Sequence, residues 1–127
     1  MNEATRHQFQ VKVKTTFDRD QSDPEQNRYV FAYTITIRND GSIPARLLAR
    51  HWRITDGNGN VREVRGDGVV GEQPHLSPGQ GFRYSSGAIL DTPVGSMQGS
   101  YRMLADNGDR FDAPIPPFTL AVPGQIN

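Results

Sequence analysis

Thirteen glycines and nine prolines are spread so evenly through this 127-residue chain that no window of about eleven residues keeps helical periodicity. The apolar residues alternate instead. Phe9, Val11, Val13, Thr15 and Phe17 lie on one side of a segment, with Gln8, Gln10, Lys12, Lys14 and Thr16 on the other. That is the pattern of a half-buried strand. Tyr29, Phe31, Tyr33, Ile35 and Ile37 form the apolar face of a second, longer strand. Its other face carries Val30, Ala32, Thr34 and Thr36, small or β-branched enough to be partly covered too. Between the two lies a polar connection, residues 18–27, with Pro24. Asn39-Asp40-Gly41 signals a turn. Residues 47–55 make a third strand, with Trp52 and Ile54 expected inside. The run Asp56-Gly57-Asn58-Gly59-Asn60 is a hairpin turn, because Gly and Asn tolerate positive φ. Residues 61–64 return from it. Strands are expected again at 82–86, 97–103, 111–115 and 118–122, the last two separated by Pro116-Pro117, with a second hairpin turn at 106–109. Residues 66–81 and 88–95 read as loops.

Seven or eight short antiparallel strands so spaced define an all-β sandwich or barrel. The length suits one domain over residues 1–127, with 1–6 and 123–127 expected to be flexible. At this size roughly two-thirds of the unfolded surface is buried on folding, enough for a core without staples. There is no cysteine, which rules out disulfides, thiolate zinc sites and cysteine nucleophiles and points to a reducing cytoplasm. The formal net charge is zero, so the basic excess of a nucleic-acid binder is missing. The start of the chain lacks an apolar signal-peptide core, and no apolar run is long enough to span a bilayer.

The motifs that resemble chemistry weaken on inspection. Gly66-Asp67-Gly68-Val69-Val70-Gly71 fits G-x-G-x-x-G. The dinucleotide fingerprint works through a helix whose first amides hold a pyrophosphate. Here Pro74 and Pro78 stand where that helix would begin, and no βαβ unit surrounds the motif. A lesser reading survives, in which the amides of Gly66, Asp67, Gly68 and Gly71 cradle an anion with help from Arg62 and Arg65. Asp56, Asn58 and Asn60 echo a calcium loop but lack its glycine and its terminal glutamate. His7, His51 and His75 have no metal-ligand spacing; His7 and His75 are expected at the surface. No serine sits in G-x-S-x-G, so no catalytic residue is assigned. Arg46, Arg50, Arg53, Arg62 and Arg65 are close in sequence, and a hairpin at Asn58-Gly59 brings their two arms together as a local basic patch.

The series HWRITDGNGNVREVRGDGVVGEQPHLSPGQGFRYSSG, then LDTPVGSMQGSYRML and FDAPIPPFTL, closely resembles the bacterial ApaG family, and the likeness runs from about residue 7 to 122. The resemblance implies a fibronectin type III-like or immunoglobulin-like β-sandwich. It also implies kinship with domains of some F-box proteins and of a DNA-polymerase-delta-interacting protein, which look like interaction modules. The family name implies a link to cobalt and magnesium resistance, and the family's glycine motif, on Gly66, Gly68 and Gly71 here, has invited a nucleotide-binding proposal. The expectation is a non-enzymatic cytoplasmic module that binds another protein, without cofactor or metal, nucleic acid or membrane, as a monomer or homodimer. The loops 66–81 and 88–95, with Arg65, Phe82 and Arg83 as anchors, are the expected contact surfaces. The alternative is a phosphate, pyrophosphate or nucleotide at the glycine loop.

Overall fold

The computed structural model describes residues 6–124. The expected flexibility of residues 1–5 and 125–127 lies outside the described residues. Eight strands form: β1 (Phe9–Phe17), β2 (Tyr29–Asn39), β3 (Ala45–Asp56), β4 (Val61–Asp67), β5 (His75–Leu76), β6 (Gly81–Leu90), β7 (Val94–Ala105) and β8 (Arg110–Ala121). All the strand pairs are antiparallel. One sheet has the order β1-β2-β6; the other runs β4-β3-β7-β8, with the short β5 also paired to β3. The two sheets form the sandwich that the alternation and turn spacing allow, in the fibronectin type III-like arrangement that the family resemblance implies.

The alternation sets the core. Phe31, Tyr33, Ile35 and Ile37 of β2 are buried against Trp52 and Ile54 of β3, Met97, Tyr101 and Met103 of β7, and Ala113, Ile115 and Leu120 of β8. On the opposite face of β2, Ala32 is exposed and Val30, Thr34 and Thr36 are half-buried. Trp52 lies at the centre of an aromatic triangle that spans both sheets. Its ring is 5.6 Å from Tyr33 and 5.9 Å from Phe118, edge-on to both. Asn39 is the one buried polar residue among those described, and it is fully satisfied. Its Nδ2 donates to the carbonyls of Ile43 and Leu76 at 3.0 Å, and its Oδ1 accepts from the Gly41 amide at 2.8 Å. The turn signal read at Asn39 is thus also the pin that holds β5 in place.

Three boundaries differ from the sequence reading. The expected loop 88–95 is mostly strand: β6 continues to Leu90, β7 begins at Val94, and only residues 91–93 connect them. Ala88 and Leu90 keep facing the core beyond Gly87, and that burial carries the strand past the glycine. The Pro116-Pro117 break does not occur, and β8 runs through it. Between the pairs Met97↔Phe118 and Gly99↔Ile115, β8 holds two residues, the prolines, opposite the single Gln98. Such a bulge on an edge strand is where the ladder needs no amide donor. Finally, β4 extends past the expected residue 64 to Asp67, so Gly66 and Asp67 belong to a strand.

Between the sheets, the hydroxyls of Tyr84 on β6 and Tyr101 on β7 meet at 2.5 Å in the core. Burial pushes both phenols well above their ordinary value of 10.0, and the nearness of Tyr84 raises Tyr101 further. A phenol held protonated in the fold contributes its full stability below pH 10 and loses it as pH rises, because the unfolded chain gives up the proton first. The urea midpoint should therefore fall above about pH 10, and less steeply in Y84F/Y101F. At neutral pH, Tyr84→Phe alone leaves the Tyr101 hydroxyl buried without a partner and should cost about 1–3 kcal/mol, while the double variant costs less than the sum of the singles.

Candidate functional site

The glycine motif is built by two β-devices. The first is a bulge in β3, where Leu48 is the extra residue between the pairs Leu47↔Met103 and Ala49↔Arg102. It turns the Leu48 carbonyl out of the ladder, where it accepts from the Gly68 amide at 2.8 Å and from Gln73 Nε2 at 2.9 Å. The second is a two-residue turn, closed by Val69 N–H to Glu72 O at 2.8 Å and Glu72 N–H to Val69 O at 2.9 Å. Its central residues, Val70 and Gly71, have φ of 44° and 81°. Positive φ at both positions is the type I′ requirement, usually met by Asn-Gly.

The segment is held down from below. Val69 is fully buried. Arg50 Nη1 donates to the carbonyls of Asp67 and Gly68, both at 3.0 Å, and Arg46 Nη1 donates to Gln73 O at 2.7 Å. The Arg50 guanidinium crosses the face of Gly66 so closely that a Cβ there would lie 2.7 Å from Nη1. At Gly68, with φ of 59°, a Cβ would collide with the Glu72 carbonyl. The glycine spacing thus answers to local packing and turn geometry.

The six candidate residues do not converge. Gly66, Asp67 and Arg65 line a concavity of about 450 Å³ on the outer face of the larger sheet, together with His51, Arg102 and Asp112. Gly68 and Gly71 lie outside its lining. Arg62 is directed elsewhere: its Nη2 donates to the Ile89 carbonyl at 2.9 Å, bridging β4 to β6. The amides of Gly68, Val69 and Glu72 donate to the chain's own carbonyls. No helix follows Gly71; the next element is the short β5.

The expected arginine patch is dispersed for the same reason. Arg46, Arg50 and Arg62 are bonded to carbonyls, and Arg53 faces Glu63 at 3.9 Å. Arg65 has no bonded partner among the described residues and projects into the concavity. Register rather than nearness in sequence decides this: on the strands, neighbouring arginines take opposite faces.

The histidines are placed by carboxylates. His7 Nε2 meets Asp109 Oδ2 at 2.9 Å, and its ring stacks on Phe111 at 4.4 Å. Its side chain is only 13% exposed, against the expected surface position. His75 Nε2 meets Asp106 Oδ1 at 2.9 Å, so both rings hold the β7–β8 turn. The His7 bond holds Asp109 below the usual carboxylate range. His51 lies 3.3 Å from Glu63 on the outer sheet face and opposite Ser100 in register. No hydrogen bond joins it to Ser100 among the described residues. Asp56 accepts from the amides of Asn58 and Asn60 at 2.9 and 3.0 Å, which caps its own turn and lowers its pKa. Among the described residues, no group of three or more His, Cys, Asp or Glu is arranged to hold a metal ion.

A fibronectin type III-like sandwich bearing a braced glycine turn, with no linked nucleophile and base among the described residues, defines the class. Within it the ApaG domain signature matches residues 19–105. Protein ApaG of Azotobacter vinelandii is 61% identical over 122 residues, covering 96% of this chain and 97% of that one. Protein ApaG of Aromatoleum aromaticum is 59% identical over 123 residues, covering 97% of each. The crystal structure of an ApaA protein from Bordetella pertussis superposes with a TM-score of 0.92 at 50% identity, covering 95% of this chain and 98% of that one. The chain belongs to the ApaG family. Among the described residues no helix is long and apolar enough to cross a membrane.

Proposed function

We propose that this domain is a non-enzymatic protein-binding module of the cytoplasm, and that it contacts its partner through the tip of the Val69–Glu72 turn. The observation that carries this reading is Val70. It is a β-branched residue in the left-handed region, with φ of 44°, and it is 56% exposed. A β-branched residue at positive φ is a genuine outlier, at a cost of about 1–3 kcal/mol. Asn or Gly would fit the same turn without that cost. Val70 contributes nothing to the core, so its apolar side chain has its use outside the chain. The anchored backbone beneath it limits what binding must order. The cysteine-free sequence favours a reducing compartment. Any link to cobalt or magnesium then runs through the partner. The alternative, a phosphate or pyrophosphate at the same loop, has the unpaired Arg65 in its favour and the already bonded amides of Gly68 and Val69 against it.

The test separates binding from folding. A photoreactive residue at the exposed position Glu72 should trap a defined partner in cells, identified by mass spectrometry. Val70→Asn should lower the adduct yield at least about fivefold, as loss of a contact anchor does, and leave the melting temperature unchanged or higher. An equal yield from V70N, or a V70N protein less stable by more than about 1 kcal/mol, would overturn the reading.

A further inference from the structure

The outer face of the three-stranded sheet gathers positive charge in a chain whose 14 basic and 14 acidic residues cancel. None of its strands, β1, β2 or β6, contains Asp or Glu. Val11 and Val13 pack on the core, so Lys12 and Lys14, the only lysines, point outward. Register places Lys12, Thr36 and Arg83 in one row across all three strands, and Lys14, Thr34 and Ser85 in the next. Arg38, one row further on, is neutralised by Asp40 at 2.6 Å. Lys12, Lys14 and Arg83 have no acidic partner within bonding distance among the described residues. With Thr34 and Thr36 they line a shallow hollow of about 530 Å³. Among the described residues the Arg83 guanidinium makes one long hydrogen bond, 3.4 Å from Nε to Thr36 Oγ1.

We propose that this face docks an extended acidic segment of a partner protein. Carboxylates at alternate positions of an extended chain recur about every 6.8 Å, which is the Lys12-to-Lys14 spacing along β1. Arg83 stands two strand spacings across, about 10 Å from Lys12, within reach of a flanking carboxylate. Charge complementarity of this kind selects the partner and speeds its approach. The face carries no aromatic ring on which a base could stack, and the neutral chain gives a long polyanion no wider attraction, so a protein is favoured over a nucleic acid. The surface is separate from the Val70 turn, and neither proposal depends on the other.

The full-length protein can be titrated with a ten-residue peptide of alternating Glu and Ser, followed by amide NMR. Shifts should centre on residues 12–14, 34–36 and 83–85, and binding should weaken roughly tenfold between about 50 and 200 mM salt. K12E/K14E should bind at least about tenfold more weakly and V70N as well as wild type. If K12E/K14E fails to fold, K12Q/K14Q takes its place. No shifts at about 2 mM peptide, equal binding by the Gln-for-Glu peptide, or unchanged binding by the lysine variant would each overturn the proposal. So would tighter binding of an oligothymidylate to the same face.

Discussion

Replacing Trp52 by alanine should destabilise the domain by about 3–5 kcal/mol, the range for removing a large buried aromatic side chain. Trp52 is 2% exposed and is the member of β3 that reaches both Tyr33 on β2 and Phe118 on β8. Its loss removes two of the triangle's three ring contacts and opens a cavity between the sheets. Tyr33 and Phe118 remain 6.1 Å apart and cannot close that gap without moving whole strands. Trp52→Phe keeps part of the contact and should lose less than half as much. Urea unfolding followed by circular dichroism measures both, since the only tryptophan fluorophore is the residue removed. A loss below about 1.5 kcal/mol for W52A would mean that the core does not turn on this contact.

Gly99→Ala should be nearly as damaging, at about 3 kcal/mol, although it adds one methyl group. Gly99 faces Trp52 across the β3–β7 ladder. A Cβ on Gly99 would collide with the His51 carbonyl and sit 3.2 Å from the Trp52 Cα. Both obstacles are backbone, so no side chain can swing aside to relieve them. The strands must separate locally, beside the bulge that holds Pro116 and Pro117. By contrast, Gly108→Ala lies in a turn with open space around it, so its cost is set by its φ of 92° alone. It should lose about 1 kcal/mol. Equal losses at the two sites would show that backbone conformation, rather than collision, sets the effect at Gly99.

The sandwich was legible because burial on one face of a strand writes itself into the chain with period two. Tyr29 to Ile37, the turn at 56–60 and the turn at 106–109 carry their own punctuation. Boundaries failed where a local rule depends on neighbours in space. A Pro-Pro pair ends a central strand, yet it fits a bulge at an edge, and the sequence does not say which strand is the edge. The Leu48 bulge was hidden for a like reason, and with it the way the glycine motif is fastened. The same limit governed the site. Five arginines close in sequence suggested one patch, but strand alternation and hydrogen bonding dispersed them. Arg83 lies far along the chain from Lys12 and Lys14 and joins them only through the β1-β2-β6 register. Val70 gave no signal, because a valine's φ cannot be read from its letter.

The prolines of β8 have a consequence for crowding in solution. β8 is the outermost strand of its sheet, and Pro114, Pro116 and Pro117 all lie within it. A second chain seeking to continue the sheet there would meet a bulged stretch in which three of four residues lack an N–H, so a regular ladder could not form over it. This border is therefore closed to strand-by-strand growth. A domain rich in β-structure is guarded against amyloid-like stacking at that margin by the same residues that bulge its edge.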